Sequence, residues 1–487
     1  MPDAPARGLH SPKIRELARL SAADLLDGYH KARFTPTEVV DEVIEALSET
    51  DEVCKVMVTP MFEAARNAAE DATRAWRNGK PRGALAGVPV TVKDLIFVAG
   101  VPARGGAPAF EDFVPEVDAA VVTALRDAGA IITCKTTTCE SGYKLTADSP
   151  VSGVTRNPWR LDRTSGGSSG GAAAAVAAGC GPLALGTDGV GSIRVPASFC
   201  GVFGIKPTFG LVPRAPGFFP PSWASLAHTG PIGRSVRDVA LLLEVIAGHD
   251  SRDAASLPLE RRRFDPTAEQ LDGLKIAFTP DLGFAAVSSE VRKAFASAAE
   301  TLEELGADLV PDQFKIDPEV LEQTIKPIAY TEQAAAVLGR DEATMARSDR
   351  EYHDVIARGR TYRGIDYVGA THRRAQLRNR FVELFRRVDV LVTPTVAVTA
   401  FEAGTLGVDE IDGRPVDPHL GWSPFSWPIN LAGLPAATIP CGFDRDGLPI
   451  GLQIIAPWLE EARIFRVAAA FEAARPWLDN WPTFAAG

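Results

Sequence analysis

Hydrophobic positions follow two different rhythms along this chain. Through the first eighty residues they recur at helical spacing. Thr35-Pro36-Thr37-Glu38 supplies an N-cap, a proline at the first helical position and a capping-box glutamate, ahead of Val39, Val40, Val43, Ile44 and Leu47. A second, alanine-rich helix is predicted from Phe62 to Asn78, with Gly79 as its stop. From Ala84 onward, short apolar runs alternate with helical ones. Val88–Val92, Ala130–Cys134 and Leu183–Gly186 read as strands, and Ala119–Ala128 reads as a helix closed by Gly129. Strands that are apolar throughout and separated by helices predict a sheet covered on both faces. Leu274–Phe278, Val388–Val392, Ala436–Pro440 and Ile450–Ile455 are further strand candidates. The stretch of about 288–387 is predicted to be mostly helical and cap-like, and the Gly/Pro-rich Val212–Trp223 to be a surface loop. The organisation expected is an N-terminal helical segment, 1–80, packed on a core spanning 81–487.

Composition narrows the class. The 487 residues are 46% hydrophobic and 23% charged, with a formal net charge of −11, so a large core is available and a phosphate-tracking basic surface is not. This disfavours nucleic acid as a partner. Met1–Leu20 has no continuous apolar stretch and reads as no secretory signal. No uncharged apolar run reaches the ~18 residues of a spanning helix, so no membrane partner is expected. Cys54, Cys134, Cys139, Cys180, Cys200 and Cys441 are scattered without a C-x-x-C pair, which reads as idle thiols in a reducing compartment, the cytoplasm.

Three segments carry candidate chemistry. Gly166-Gly167-Ser168-Ser169-Gly170-Gly171 precedes the run Ala172–Ala178. By composition it fits a flexible linker, but it stands between strand-like and helix-like parts of one core. A glycine-rich turn entering a helix gathers N–H groups, which suits anions and serine nucleophiles. Gly166-x-Ser168-x-Gly170, and the register centred on Ser169, also match a nucleophile elbow, yet no histidine follows His419. Ser141-Gly142-Tyr143-Lys144 fits a Ser-x-x-Lys pattern without its usual companions. The second segment, Gly186 to Pro196, brackets Ser192 with Gly189 and Gly191, so successive N–H groups can line an oxyanion pocket. Asp188 and Arg194 flank it and are placed to pair across the loop, as they would in a plain structural turn. In the third, Lys93 ends the apolar run Val88–Val92. Such a lysine either snorkels to the surface or, buried beside a serine, gives up its proton and acts as a base.

Together these segments resemble the amidase signature family. Lys93 falls on that family's catalytic lysine, Ser168 on its cis-peptide serine and Ser192 on its nucleophile, with the two serines 24 positions apart. Asn157-Pro158-Trp159, Gly230-Pro231-Ile232-Gly233-Arg234-Ser235 with Asp238, and Gly447 to Gln453 extend the likeness over about Leu17 to Trp477. The resemblance implies a single α/β/α domain on a large mixed β-sheet, with no metal and no cofactor. It implies an oxyanion hole from Gly189, Val190, Gly191 and Ser192, loop support from Asp188, Arg194 and Ser169, and pocket residues among Gly142 and Tyr143. The reaction implied is hydrolysis of a small-molecule amide through an acyl-Ser192, with carbamates or esters as the alternative. A non-catalytic binding or scaffold protein of the same fold is the rival class, and a homodimer follows by analogy. In two places the chain departs from the pattern. Val190 stands where glycine is usual, and Cys139 to Lys144 replaces the Asp-Glu-Phe-x-Met-Gly stretch of the tRNA-dependent amidotransferase subunits, which argues against that role.

Overall fold

The computed structural model describes residues 15–218, 226–260, 262–311 and 314–484. Its strands, in chain order, are β1 (Met57–Pro60), β2 (Pro89–Lys93), β3 (Ile131–Thr136), β4 (Asp148–Ser149), β5 (Gly153–Val154), β6 (Leu183–Asp188), β7 (Phe203–Lys206) and β8 (His228–Gly233). They continue with β9 (Lys275–Phe278), β10 (Asp308–Pro311), β11 (Val390–Pro394), β12 (Glu410–Ile411), β13 (Arg414–Pro415), β14 (Ala436–Phe443) and β15 (Pro449–Ile455). Eleven of them form one sheet in the order β1-β3-β2-β6-β8-β7-β14-β15-β11-β9-β10, and β4–β5 and β12–β13 are small ribbons. The sheet is mixed. β3, β2 and β6 run parallel, as do β11, β9 and β10, while β8, β7, β14 and β15 pair antiparallel. This is the expected α/β architecture on a large mixed sheet.

Each predicted strand is present, within two or three residues at its ends. The Thr35 capping box starts helix Pro36–Cys54 as its sequence requires, and helix Phe62–Arg77 ends before Gly79, whose φ is +65°. Between these helices lies β1, which pairs with β3. Helix Gly170–Ala177 is buried on every side, as its all-apolar sequence demands, and packs against helix Arg194–Cys200 and strands β2, β6 and β8. Helices Val236–Ile246, Ser289–Glu304 and Glu461–Ala474 also lie against strands of the same sheet. Within the polar stretch of about 288–387, helix Lys326–Ala336 packs on helices Arg350–Thr361 and Gly364–Phe385, the last of which also packs on helix Trp427–Ala432.

The described part of the expected Val212–Trp223 surface loop, Val212–Phe218, is drawn partly into the core. Val212 and Phe218 are buried, Phe218 bridges Ile96, and the Asp253 carboxylate accepts the N–H groups of Arg214 and Ala215. Residues 219–223 of that segment, like residues 1–14 of the N-terminus, lie outside the described residues.

One consequence of the topology fixes the site. β2 and β6 are parallel neighbours, so Lys93 and Asp188, the last residues of each, emerge at the same edge of the sheet. Open α/β sheets place their ligands outside the carboxyl ends of such strands.

Candidate active site

Lys93 is fully buried at the end of β2. Its Nζ lies 2.6 Å from Ser168 Oγ, 2.9 Å from Ser169 Oγ and 2.9 Å from Thr187 Oγ1. Burial draws its pKa down from 10.5 to about 7, against smaller opposing effects of Cys139 and Asp188. The snorkelling alternative is therefore excluded, because the ammonium end has no route to solvent.

The glycine-rich loop is equally buried, with Ser168 and Ser169 at 1% and 0% exposure, so it is no linker. It passes so close to the 146–147 backbone that a Cβ on Gly167 would fall 2.3 Å from the Thr146 carbonyl. The Gly167–Ser168 peptide is cis. The Ser169 hydroxyl donates to Thr187 O at 3.1 Å and Ser169 N–H donates to Ser192 O at 3.1 Å, which ties this loop to β6 and to the turn after it. With both loop hydroxyls on Lys93, the elbow reading, which needs a histidine, finds no support. Lys144 likewise serves no Ser-x-x-Lys chemistry, since its Nζ is spent on Asp148 and Asp349.

The turn after β6 is built around a buried ion pair. Arg194 Nε and Nη2 each reach an oxygen of Asp188 at 3.0 Å. Arg194 also donates to Gln453 Oε1 at 2.6 Å, to Asn430 Oδ1 at 2.5 Å and to Ser426 O at 3.1 Å. Asn430 Nδ2 returns to Asp188 Oδ1 at 2.8 Å. Burial pushes the Asp188 carboxyl up, but Arg194 and the remaining donors outweigh it and hold the group below its usual range.

Asp188 also accepts the Gly191 N–H at 2.8 Å and the Ile193 N–H at 3.2 Å. This corrects the expected oxyanion set. The Gly191 N–H is already engaged, whereas among the described residues the N–H groups of Gly189, Val190 and Ser192 have no protein partner. Gly191 instead supplies conformation, at φ +134°, in a place where a Cβ would meet Ser426 Oγ at 2.6 Å. Val190 is buried without positive φ, and its carbonyl accepts from Ser426 Oγ at 2.6 Å. Ser192 is 2% exposed, and its hydroxyl makes no hydrogen bond among the described residues, to Ser168 or to any other group.

Gly142 comes to the same place, since a Cβ there would lie 3.5 Å from Ser168 Oγ. Tyr143 is buried beside it, with its ring against Tyr352 and His419 and its hydroxyl donating to Asp349 at 3.1 Å. The residues not foreseen from sequence are Thr187, Ser426, Asn430 and Gln453. Thr187 and Gln453 lay inside segments already singled out. Asn430 and Ser426 gave one signal only, as polar side chains in an otherwise apolar stretch.

Comparison with known proteins identifies the family and the fold. The amidase family profile matches residues 38–465. An acylamidase of Rhodococcus erythropolis is 34% identical over 467 residues, covering 95% of this chain and 97% of the relative. A glutamyl-tRNA(Gln) amidotransferase subunit of Thermosynechococcus vestitus is 36% identical, covering 92% and 96%. Among solved structures, a bacterial aryl acylamidase of the amidase signature family superimposes with a TM-score of 0.88 at 30% identity, covering 95% of this chain and 98% of that one. A 6-aminohexanoate cyclic dimer hydrolase follows at 0.84 and 29%, covering 97% and 100%. The chain belongs to the amidase signature family, the hydrolases of carbon–nitrogen bonds other than peptide bonds.

Proposed function

We propose that this protein hydrolyses the C–N bond of a small-molecule amide through an acyl-Ser192 intermediate, with Ser168 and Lys93 as its proton relay. The carrying observation is the 2.6 Å approach of a fully buried Lys93 Nζ to Ser168 Oγ. Proton accounting supports the direction of transfer. The Ser169 proton goes to Thr187 O, so Ser169 accepts from Lys93. A neutral amine has two N–H bonds and one lone pair. With Ser169 and Thr187 accepting the two N–H bonds, the lone pair is left for the Ser168 O–H.

Lys93 takes the Ser168 proton as Ser168 takes that of Ser192, whose Oγ attacks the carbonyl carbon. The N–H groups of Gly189, Val190 and Ser192 stabilise the oxyanion. The proton returns through Ser168 to the leaving nitrogen, the amine departs, and water attacking the acyl-serine repeats the cycle. The acylamidase relative and Cys139 to Lys144 favour a stand-alone amidase over a component of an amidotransferase. Such an enzyme works in the cytoplasm on a small molecule, without nucleic acid.

Fluorophosphonate labelling followed by peptide mapping tests the reading. The adduct is expected on Ser192, and Ser192→Ala is expected to lose turnover by several orders of magnitude with its melting temperature kept. An adduct on Ser168 or Ser169 would overturn it.

A further inference from the structure

The turn that brings Gly142 against Ser168 is held from outside the sheet. Within it, Ser141 takes φ +51° and Gly142 φ +70°, and Ser141 N–H donates to Gly105 O at 2.8 Å. Gly105 N–H is in turn anchored on Asp94, which pairs with the buried Lys135. That fixes the inner side. On the outer side three successive attachments converge on the start of helix Arg350–Thr361. The Glu140 carboxylate accepts from Ser348 Oγ and from the Asp349 N–H, each at 2.8 Å. Asp349 Oδ2 accepts from Tyr143 OH at 3.1 Å and from Lys144 Nζ at 2.6 Å. His419 adds a fourth. The Tyr143 carbonyl can only accept, so His419 Nε2 carries the proton, and Nδ1 accepts from Tyr330 OH. Gly142 stands between these clamped residues, next to Ser168.

We infer that Asp349 is a positioning residue for catalysis: by holding Tyr143 and Lys144 through its carboxylate, beside the Glu140 attachment of its main-chain N–H, it keeps the Gly142 turn against Ser168 and so keeps the relay serine in line between Lys93 and Ser192. The inference rests on the relay proposed above. Asp349 touches none of the reacting atoms. Its side chain is 16% exposed and that of Lys144 3%, so the pair is largely withdrawn from water; without the Asp349 carboxylate Lys144 keeps only Asp148, and the Tyr143 hydroxyl loses its acceptor. A turn with two adjacent residues at positive φ relaxes when one side is released. Its neighbours at Gly142 are Leu95 Cδ1, 3.0 Å from where a Cβ would stand, and at 3.5 Å the Ser168 hydroxyl that must pass the proton.

The test compares Asp349→Ala, Asp349→Asn and Tyr143→Phe with Arg358→Ala, which breaks the exposed pair between Arg358 of the same helix and Glu322 of another element. Turnover is measured per fluorophosphonate-labelled Ser192, so misfolded molecules do not count. Asp349→Ala is expected to lower kcat about tenfold to a hundredfold, as small misplacements of a reacting group do, with KM moving less than about threefold. Asp349→Asn is expected in between, because its amide oxygen still accepts from Tyr143 while the charge facing Lys144 is gone. Arg358→Ala is expected to lower the melting temperature without changing kcat per labelled serine. Unchanged kcat per labelled serine in Asp349→Ala would overturn the inference and leave Asp349 a structural clamp. Should that variant not fold, wild-type kcat in both Asp349→Asn and Tyr143→Phe overturns it equally. Failure of the wild-type protein to label at Ser192 would instead strike at the relay itself.

Discussion

Lys93 has three hydroxyl neighbours and, among the described residues, no carboxylate partner. Desolvation outweighs the smaller opposing effects of Cys139 and Asp188, and the pKa of about 7 follows from that. The free enzyme should therefore gain activity as pH rises through about 7, with one proton released, in a kcat/KM profile. Lys93→Arg carries a charge that cannot be shed in this range and is expected to be as inactive as Lys93→Ala; a flat profile or an active arginine variant would remove Lys93 from the role of base. Val190 is simpler. With φ outside the positive region, valine keeps its backbone N–H free for an oxyanion, and the departure from glycine costs no donor.

At the scale of elements, the turn around Ser192 is set by the C-terminal part of the sheet. Gln453 of β15 receives an Arg194 N–H and gives its own N–H groups to Thr393 Oγ1 and Phe425 O. Gln453→Leu leaves three buried partners unmet. It is expected to cost about 1–3 kcal/mol in urea unfolding, with kcat falling more than KM rises. This coupling was hidden in the sequence, because Gln453 lies 259 positions from Arg194. What was legible followed local rules: the capping box at Thr35, the apolar strands β2, β3 and β6, and the glycine-rich loop. β8 was missed for a physical reason. His228-Thr229-Gly230-Pro231-Ile232-Gly233 holds the residues that argue against a central strand, yet it sits between β6 and β7. β7 pairs only with Ile232 and Gly233, so the ladder on that side has ended before Pro231 and its missing N–H costs nothing there. A Cβ at Gly230 would fall 2.2 Å from Ile205 O. Both compensations lie in neighbouring strands, where sequence rules do not look.

For the whole molecule, two buried features respond to pH with opposite sign. Burial raises Asp238 to about 6 and Glu472 to about 7, while Lys93 is lowered to about 7. Raised carboxyls stabilise the fold at low pH and lose that contribution as pH climbs through 6 to 7. The lowered lysine contributes at high pH and loses it as pH falls through 7. The two trends oppose each other near neutrality. Glu472→Gln should therefore make the melting temperature fall more steeply on acidification below pH 7, and Lys93→Met should make it fall more steeply on alkalinisation; parallel curves for both variants and the parent would refute the assignment. The Asp188–Arg194 network has a consequence for biosynthesis. Its partners Asn430 and Gln453 lie 236 and 259 positions beyond Arg194 and are therefore made well after it. A ribosome-bound chain that already contains Lys93, Ser168 and Ser192 still lacks the groups that seat the turn around Ser192, so that turn is set only after Gln453 has been made.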